Sequence, residues 1–226
     1  MSQKNKNRAV IFANGPVKDA PTARRAIQEG DLLIAADGGA RHCLEFGLTP
    51  DILIGDFDSL SQNELATLET SGMQVIRHPA KKDFTDLELA VRHAVSLDLT
   101  EILVIGALGA RWDQTIANIF LPVNQDLSRI RMRLIDGAQE VTFMRDKDQL
   151  TLYGQAGDIL SLVPLGGDAQ GVTTQGLEYP LNDETLYFGA TRGISNVLLN
   201  RTATVQLKAG YLLCILIHLD AYEDTI

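Results

Sequence analysis

Asp51-Ile52-Leu53-Ile54-Gly55-Asp56-Phe57-Asp58-Ser59 is the stretch on which the fold turns. Its first half is an apolar run of the length of a buried strand, and its second half is a polar turn carrying two carboxylates. From an extended backbone, residues two apart point the same way, so Asp56 and Asp58 are expected to share a face. Like charges about 4 Å apart repel by roughly 4 kcal/mol at an effective dielectric of 20. A cation or a proton is therefore expected between them. Hard oxygen ligands with no His or Cys nearby favour Mg²⁺ over zinc, and Mg²⁺ held by one or two carboxylates usually also holds substrate phosphates. A lone Asp-x-Asp reads first as a solvated acidic turn, so the surroundings must decide.

Three further segments repeat the layout of an apolar strand followed at once by a polar turn. Leu32 to Ala36 runs into Asp37-Gly38-Gly39-Ala40, Met73 to Ile76 leads to Lys81-Lys82-Asp83-Phe84-Thr85-Asp86, and Ile102 to Ile105 runs into Gly106 to Asp113. The first strand, Ala9 to Ala13, leads to Asn14 and Gly15, which either meet phosphate or turn the chain. In an open parallel α/β sheet, ligands bind just beyond the carboxyl ends of the strands. The turns are thus expected to converge on one crevice, which favours a phosphate–metal site over scattered acidic turns.

The clearest helix begins at Thr85. Thr85 and Glu88 have capping-box spacing, and Leu87, Ala90, Val91, Ala94 and Val95 fall on one apolar face. This puts Asp86 in the first helical turn and Asp83 just outside it, at the dipole end that favours carboxylates and phosphates. On local grounds Asp86 reads as dipole compensation; its placement opposite Asp56 and Asp58 points to metal.

The character of the chain changes near residue 137. Before it, short apolar runs alternate with helical patterns, giving an α/β domain with a mostly parallel sheet over residues 1–137. From 138 to 226 the pattern is strand-like: Leu150 to Tyr153, Ile159 to Val163 and Ala203 to Leu207 alternate apolar with polar between Gly, Pro and Asp punctuation. This predicts a compact antiparallel β-sandwich. The acidic tail, Asp220 to Asp224, reads as a solvated end.

Composition sets the outer limits. A chain of 226 residues, 45% hydrophobic, has ample material for a globular core in one large domain or two small ones. A net charge of −9 with no offsetting basic patch argues against nucleic acid as the main partner. The longest apolar run, Tyr211 to Ile217, is too short to span a bilayer, and Met1 to Arg8 lacks the apolar core of a signal peptide. Cys43 and Cys214 each lie in an apolar pattern and read as buried free thiols of a cytoplasmic protein. His42, His78, His93 and His218 show no metal-ligand spacing.

Taken together, Ala36-Asp37-Gly38-Gly39, Gly55-Asp56-Phe57-Asp58-Ser59, Lys82-Asp83-x-Thr85-Asp86 with Glu88 and Ala90, and Gly106-Ala107-x-Gly109-x-Arg111-x-Asp113 with Asn118 resemble the ordered motifs of thiamine pyrophosphokinases. Ser195-Asn196 resembles that family's Ser-Asn thiamine-binding motif, whereas on local grounds the pair reads as turn hydrogen bonding. The resemblance runs from about Val10 to Ile217. It implies transfer of the pyrophosphoryl group of ATP to the hydroxyl of thiamine, giving thiamine diphosphate and AMP. It also implies an Mg²⁺-ATP-binding catalytic α/β domain, a thiamine-binding β-sandwich, and a homodimer whose site includes both subunits.

On that reading Asp56, Asp58 and Asp86 are the metal ligands, and Asp37 and Asp83 complete the catalytic set. Asp83 either orders the cluster or accepts the hydroxyl proton. Gly38, Gly39, Ser59, Lys82, Thr85, Gly106, Gly109, Arg111, Asp113 and Asn118 are the nucleotide contacts. Gly38 and Gly39 would allow close backbone approach, and Lys82 and Arg111 would balance phosphate charge. Arg111 reads equally as half of a surface salt bridge, and Asp113 as a helix cap. Departures from the usual pattern are Ala110 where Gly is usual, Gln114 where His is usual, and no Trp after Asn196. Two alternatives are a pyrophosphokinase acting on another alcohol, such as a hydroxymethylpterin, and an Asp-x-Asp metal-dependent glycosyltransferase.

Overall fold

The computed structural model describes residues 7–81, 83–109 and 111–219. The chain divides into two compact units, one running to Asp136 and the other starting at Gly137.

The first unit alternates strand and helix: β1 (Arg8–Phe12), α1 (Ala20–Arg25), β2 (Leu32–Ala36), α2 (Ala40–Glu45), β3 (Ile52–Gly55), α3 (Gln62–Glu69), β4 (Gln74–Arg77), α4 (Asp86–Ser96), β5 (Glu101–Ile105), α5 (Trp112–Phe120) and β6 (Arg131–Asp136). All six strands are parallel, in the order β6-β5-β1-β2-β3-β4. The chain builds outward from β1 to β4 and then returns to the other side of β1 with β5. The turns after β1 and β5 therefore flank the point where the strand order reverses, the usual place for a ligand in such a sheet. Central strands with both faces covered need apolar residues throughout, and β1 is buried along its whole length. Leu87, Ala90, Val91 and Ala94 are the buried face of α4, which packs on β1, β2 and β3.

The helix starts differ from the spacing expectation in one detail. Thr85 caps α4 by accepting from the Glu88 amide at 3.2 Å. The reciprocal half of the box is replaced, because the Glu88 carboxylate takes Arg92 Nε at 2.9 Å. The complete capping box is on α3, between Ser61 and Glu64.

The second unit is antiparallel. It comprises β7 (Gln139–Met144), β8 (Gln149–Tyr153), β9 (Ile159–Pro164), β10 (Ala169–Gln175), β11 (Glu184–Leu186), β12 (Asn196–Val197), β13 (Thr202–Gln206) and β14 (Leu212–Ile217). One sheet has the order β12-β9-β14-β7 and the other β11-β10-β13-β8. Alternate residues point inward, so Leu212, Cys214 and Leu216 of β14 share a core with Leu152, Leu160, Val172 and Val205. Each fully buried aliphatic side chain of this kind contributes about 1.5–3 kcal/mol. Both cysteines are free and buried; burial first, and the nearby Asp51 charge second, push the Cys43 thiol up to about 12. Among the described residues no helix is long and apolar enough to cross a membrane.

Candidate active site

The turns that follow β1, β2, β3, β4 and β5 meet at a cavity of about 540 Å³ in the first unit, whose walls include Asn14, Asp37, Asp58, Ser59, Asp86 and Arg111. Asp37, Asp56 and Asp58 each offer a carboxylate oxygen, all within 4.8 Å of one another. Two unusual backbone conformations create this cluster.

The first is at Phe57. The strand ends at Gly55, and Phe57 adopts φ 66°, a left-handed conformation that a bulky residue rarely occupies. Asp56 and Asp58 thus come together through a turn, not through the extended alternation expected from the sequence. The Asp58 amide donates to Asp56 Oδ1 at 3.3 Å across it. What holds Phe57 there is its ring, which is buried with Leu53, Leu60 and Leu68 and lies 4.7 Å beneath the Arg77 guanidinium. The turn buries its aromatic residue and presents its two carboxylates.

The second is at Asp37, with φ 49°, which Asp tolerates better than most residues. This bends the chain as β2 ends and brings Asp37 inward. Its Oδ1 is buried and has no hydrogen-bond partner among the described residues. A buried carboxylate oxygen without a donor is costly, and a hard cation held between Asp37, Asp56 and Asp58 would remove that cost for Asp37. The donor set is all oxygen, so it fits Mg²⁺.

The trio differs from the expected Asp56, Asp58 and Asp86. Asp86 starts α4 and lines the cavity, but it stands across Gly55: a Cβ built on Gly55 would lie 3.2 Å from both Asp86 Oδ1 and Asp37 Cβ.

Hydrogen bonds tie the turns to one another. Asn14 Nδ2 donates to Ser59 Oγ at 3.2 Å, and Ser59 Oγ donates to Asp58 Oδ1 at 3.3 Å. Arg41 Nη2 donates to the Ser59 carbonyl at 2.5 Å, while its Nε reaches Glu64 at 2.6 Å. Hydrogen bonding to Arg41 is the main reason that the Glu64 carboxyl is held down at about 2. The turn after β5 is held by α5: Thr115 Oγ accepts from the Gly109 amide at 3.1 Å, and Asn118 Nδ2 donates to the Ala107 carbonyl at 2.7 Å. Gly106 has φ 75°, and a Cβ there would lie 2.6 Å from the Ala13 carbonyl, so only glycine lets the β1 and β5 turns close on each other.

The expected nucleotide contacts divide. Ser59, Thr85, Gly106, Gly109, Arg111 and Asn118 line the cavity. Gly38 and Gly39 do not. Both are buried, and a Cβ on Gly38 would strike the Asn14 side chain, one on Gly39 the Phe12 carbonyl. The missing side chains admit neighbouring protein there. Asp83 is exposed and is not among the lining residues. Asp113 is also exposed and grips Arg111 through two contacts, of 3.1 and 2.5 Å. That bonding lowers the Asp113 carboxyl and raises the Arg111 guanidinium. Lys82 lies outside the described residues, as do Ala110 and the acidic tail.

Sequence reasoning did not single out Arg41, whose partners are 18 and 23 residues away, or Thr115, which holds Gly109 from α5, and it noted Gln114 only as a departure from the motif, not as a lining residue. Gln114 had a signal, since it sits four residues before Asn118 and both reach the cavity from α5.

In the second unit Ser195 is exposed with φ 59°, and its amide donates to Ser161 Oγ at 3.1 Å. Asn196 is committed to backbone: Nδ2 donates to the Tyr179 carbonyl at 2.7 Å, and Oδ1 accepts from the Tyr179 amide at 3.0 Å. Asn196 thereby joins two segments of the second unit.

Comparison with known proteins bears on both units. Residues 23–134 match the family profile described as "Thiamin pyrophosphokinase, catalytic domain", and residues 144–212 the one described as "Thiamin pyrophosphokinase, vitamin B1 binding domain". The chain is 30% identical over 211 residues to thiamine pyrophosphokinase of Bacillus subtilis (strain 168), covering 91% of this chain and 96% of the relative. A crystal structure of thiamine pyrophosphokinase from Bacillus subtilis superposes with TM-score 0.84 at 28% identity, covering 94% of this chain and 99% of that one. For a crystal structure of thiamin pyrophosphokinase from Geobacillus thermodenitrificans the TM-score is 0.80 at 27% identity, with coverage of 93% and 97%.

Proposed function

The chain belongs to the thiamin pyrophosphokinase family, and from that premise we propose how its residues divide the transfer of a pyrophosphoryl group from ATP to thiamine. The observation that carries the reading is the trio Asp37, Asp56 and Asp58, closing within 4.8 Å beside a cavity of about 540 Å³ at the strand-order reversal.

Asp37, Asp56 and Asp58 would hold Mg²⁺, with Asp86 opposite. Bound there, the ion would supply positive charge to the triphosphate oxygens. Asn14 and Ser59 fix the Asp58 carboxylate by hydrogen bonding. Arg111 would exchange Asp113 for phosphate, keeping a bidentate partner throughout. Gln114 and Asn118 offer neutral amides to the nucleoside end. The transition state of phosphoryl transfer is loose, with charge spread over phosphate oxygens, so positioning and electrostatics supply most of the catalysis. Asp83, exposed before α4, is left as an ordering residue, not the proton acceptor. Ser195 and Asn196 belong to thiamine recognition in the second unit. The two free buried thiols support a cytoplasmic setting.

We also read the protein as a homodimer. In support, Trp112, Ile116 and Phe120 recur every fourth residue along α5 and are 80%, 48% and 48% exposed. A stripe of that kind is rare on a monomer.

The assay is consumption of ATP with Mg²⁺, in the presence and absence of thiamine. The reading expects thiamine-dependent turnover that chelation abolishes and added Mg²⁺ restores. ATP consumption indifferent to thiamine, or undisturbed by chelation, would contradict it.

A further inference from the structure

The turn after β1 lines the acidic cavity with Asn14 and Gly15, and the turn after β3 lines it with Asp58 and Ser59. In the sheet β2 lies between β1 and β3, so the helix that follows it, α2, stands between these two turns. Neighbouring residues on an α-helix point about 100° apart, and α2 uses two neighbours, Arg41 and His42, to reach both. Arg41 Nη2 donates to the Ser59 carbonyl at 2.5 Å. His42 Nε2 lies 2.7 Å from the Gly15 carbonyl. A carbonyl oxygen only accepts, so Nε2 must carry the hydrogen, while Nδ1 faces the Glu45 carboxylate at 3.4 Å.

Gly15 is thereby pinned on both sides. Its amide donates to the Gly106 carbonyl at 2.9 Å, and the Ala13 amide donates to the Ile105 carbonyl at 2.8 Å. A Cβ on Gly15 would run into the Gly106 carbonyl, so the turn has no room on that side. Further along the same turn, Lys18 Nζ meets Asp136 Oδ2 at 3.2 Å. These contacts tie the turn to the end of β5 and to β6, and His42 ties it to the helix that follows Asp37. Between the ties sits Asn14, whose Nδ2 donates to Ser59 Oγ, which in turn donates to Asp58 Oδ1. The two clamped turns meet at that Asn14–Ser59 bond and through it bear on the Asp58 carboxylate. His42 itself is not among the residues lining the cavity, so what it does there it does through Gly15 and Asn14. Turns held in place before a ligand arrives lower the cost of ordering them on binding, and small misplacements of positioning groups are expensive in catalysis.

We propose that His42 is a positioning residue for the phosphates of the nucleotide: its Nε2–H holds the β1 turn by the Gly15 carbonyl, as Arg41 holds the β3 turn by the Ser59 carbonyl. This rests on the cavity being the Mg²⁺-ATP site.

The test is calorimetric titration of the full-length protein, in Mg²⁺, with α,β-methylene-ATP, whose α–β bridge does not cleave, beside steady-state kinetics with ATP and thiamine. His42→Ala and His42→Asn are each expected to weaken binding of the analogue about 2- to 12-fold, the worth of one hydrogen bond. His42→Gln puts an amide N–H where Nε2 stood and is expected to bind near the wild-type affinity, whereas Asn is one methylene too short to reach. KM for ATP is expected to follow the same order, with KM for thiamine unchanged. His42→Ala is expected to add little to Asn14→Ala, because the two act through one turn. Circular dichroism and melting separate loss of fold from loss of binding, and the comparison of Gln with Asn carries the test if the Ala variant does not fold. Unchanged analogue affinity in folded His42→Ala or His42→Asn overturns the proposal, as do Gln and Asn variants of equal affinity or fully additive effects with Asn14→Ala. Wild-type protein that does not bind the analogue in Mg²⁺ overturns the nucleotide reading of the cavity itself, and is told apart because no variant is needed to see it.

Discussion

Asp37 is the buried member of the acidic trio: its Oδ1 has no donor among the described residues, and two further carboxylates lie within 4.8 Å. Asn tolerates the left-handed conformation about as well as Asp, so Asp37→Asn removes charge without disturbing the φ 49° backbone. Turnover is expected to fall at least about 100-fold. In chelator the melting temperature is expected to stay level or rise, because a repulsion of order 4 kcal/mol per close pair at an effective dielectric of 20 is relieved. Adding Mg²⁺ is expected to raise the melting temperature of the wild type but not of the variant. A variant that keeps near-normal turnover would remove Asp37 from the catalytic set. The sequence made the acidic residues visible but not which three of them close. Asp-x-Asp after an apolar run names Asp56 and Asp58, yet the positive φ values of Phe57 and Asp37 decide the geometry. Neither leaves a trace in periodicity, because neither is a glycine.

At the scale of elements, the α4 helix was readable because apolar spacing and a Thr cap coincide. The stripe on α5 has the same periodicity, and from sequence alone it resembles a core face. Trp112, Ile116 and Phe120 instead lie open, while Thr115 and Asn118 turn inward to hold the β5 turn. If that stripe is the homodimer surface, a double charge substitution, Ile116→Glu with Phe120→Glu, is expected to give a monomer of about half the wild-type mass by light scattering. Both side chains are about half exposed, so the monomer is expected to keep its secondary structure by circular dichroism. A wild-type protein that already runs as a monomer, or a charged variant that remains dimeric, would refute this use of α5. Arg41 shows what no local pattern reveals. Its partners Ser59 and Glu64 are 18 and 23 residues away in sequence, and only the folded sheet brings them together.

For the whole molecule, the alternation of strand and helix and then the run of strands were legible, although only β8, β9 and β13 of the second unit's eight strands were read individually. Alternating βα segments could satisfy their buried strands only in a parallel sheet, and the run of alternating strands that follows could do so only in a sandwich. The family's chemistry then falls on residues of both kinds of unit. The acidic cavity belongs to the first, and the segment that matches the vitamin B1 binding profile, with the Ser195-Asn196 pair proposed for thiamine, belongs to the second. The central claim is that the cavity at Asp37, Asp56 and Asp58 serves attack at the β-phosphorus of ATP by the hydroxyl of thiamine. Phosphorus NMR of a reaction containing ATP, thiamine and Mg²⁺ reads this directly. The account predicts AMP and thiamine diphosphate appearing in equal amounts; ADP appearing with thiamine monophosphate would contradict it.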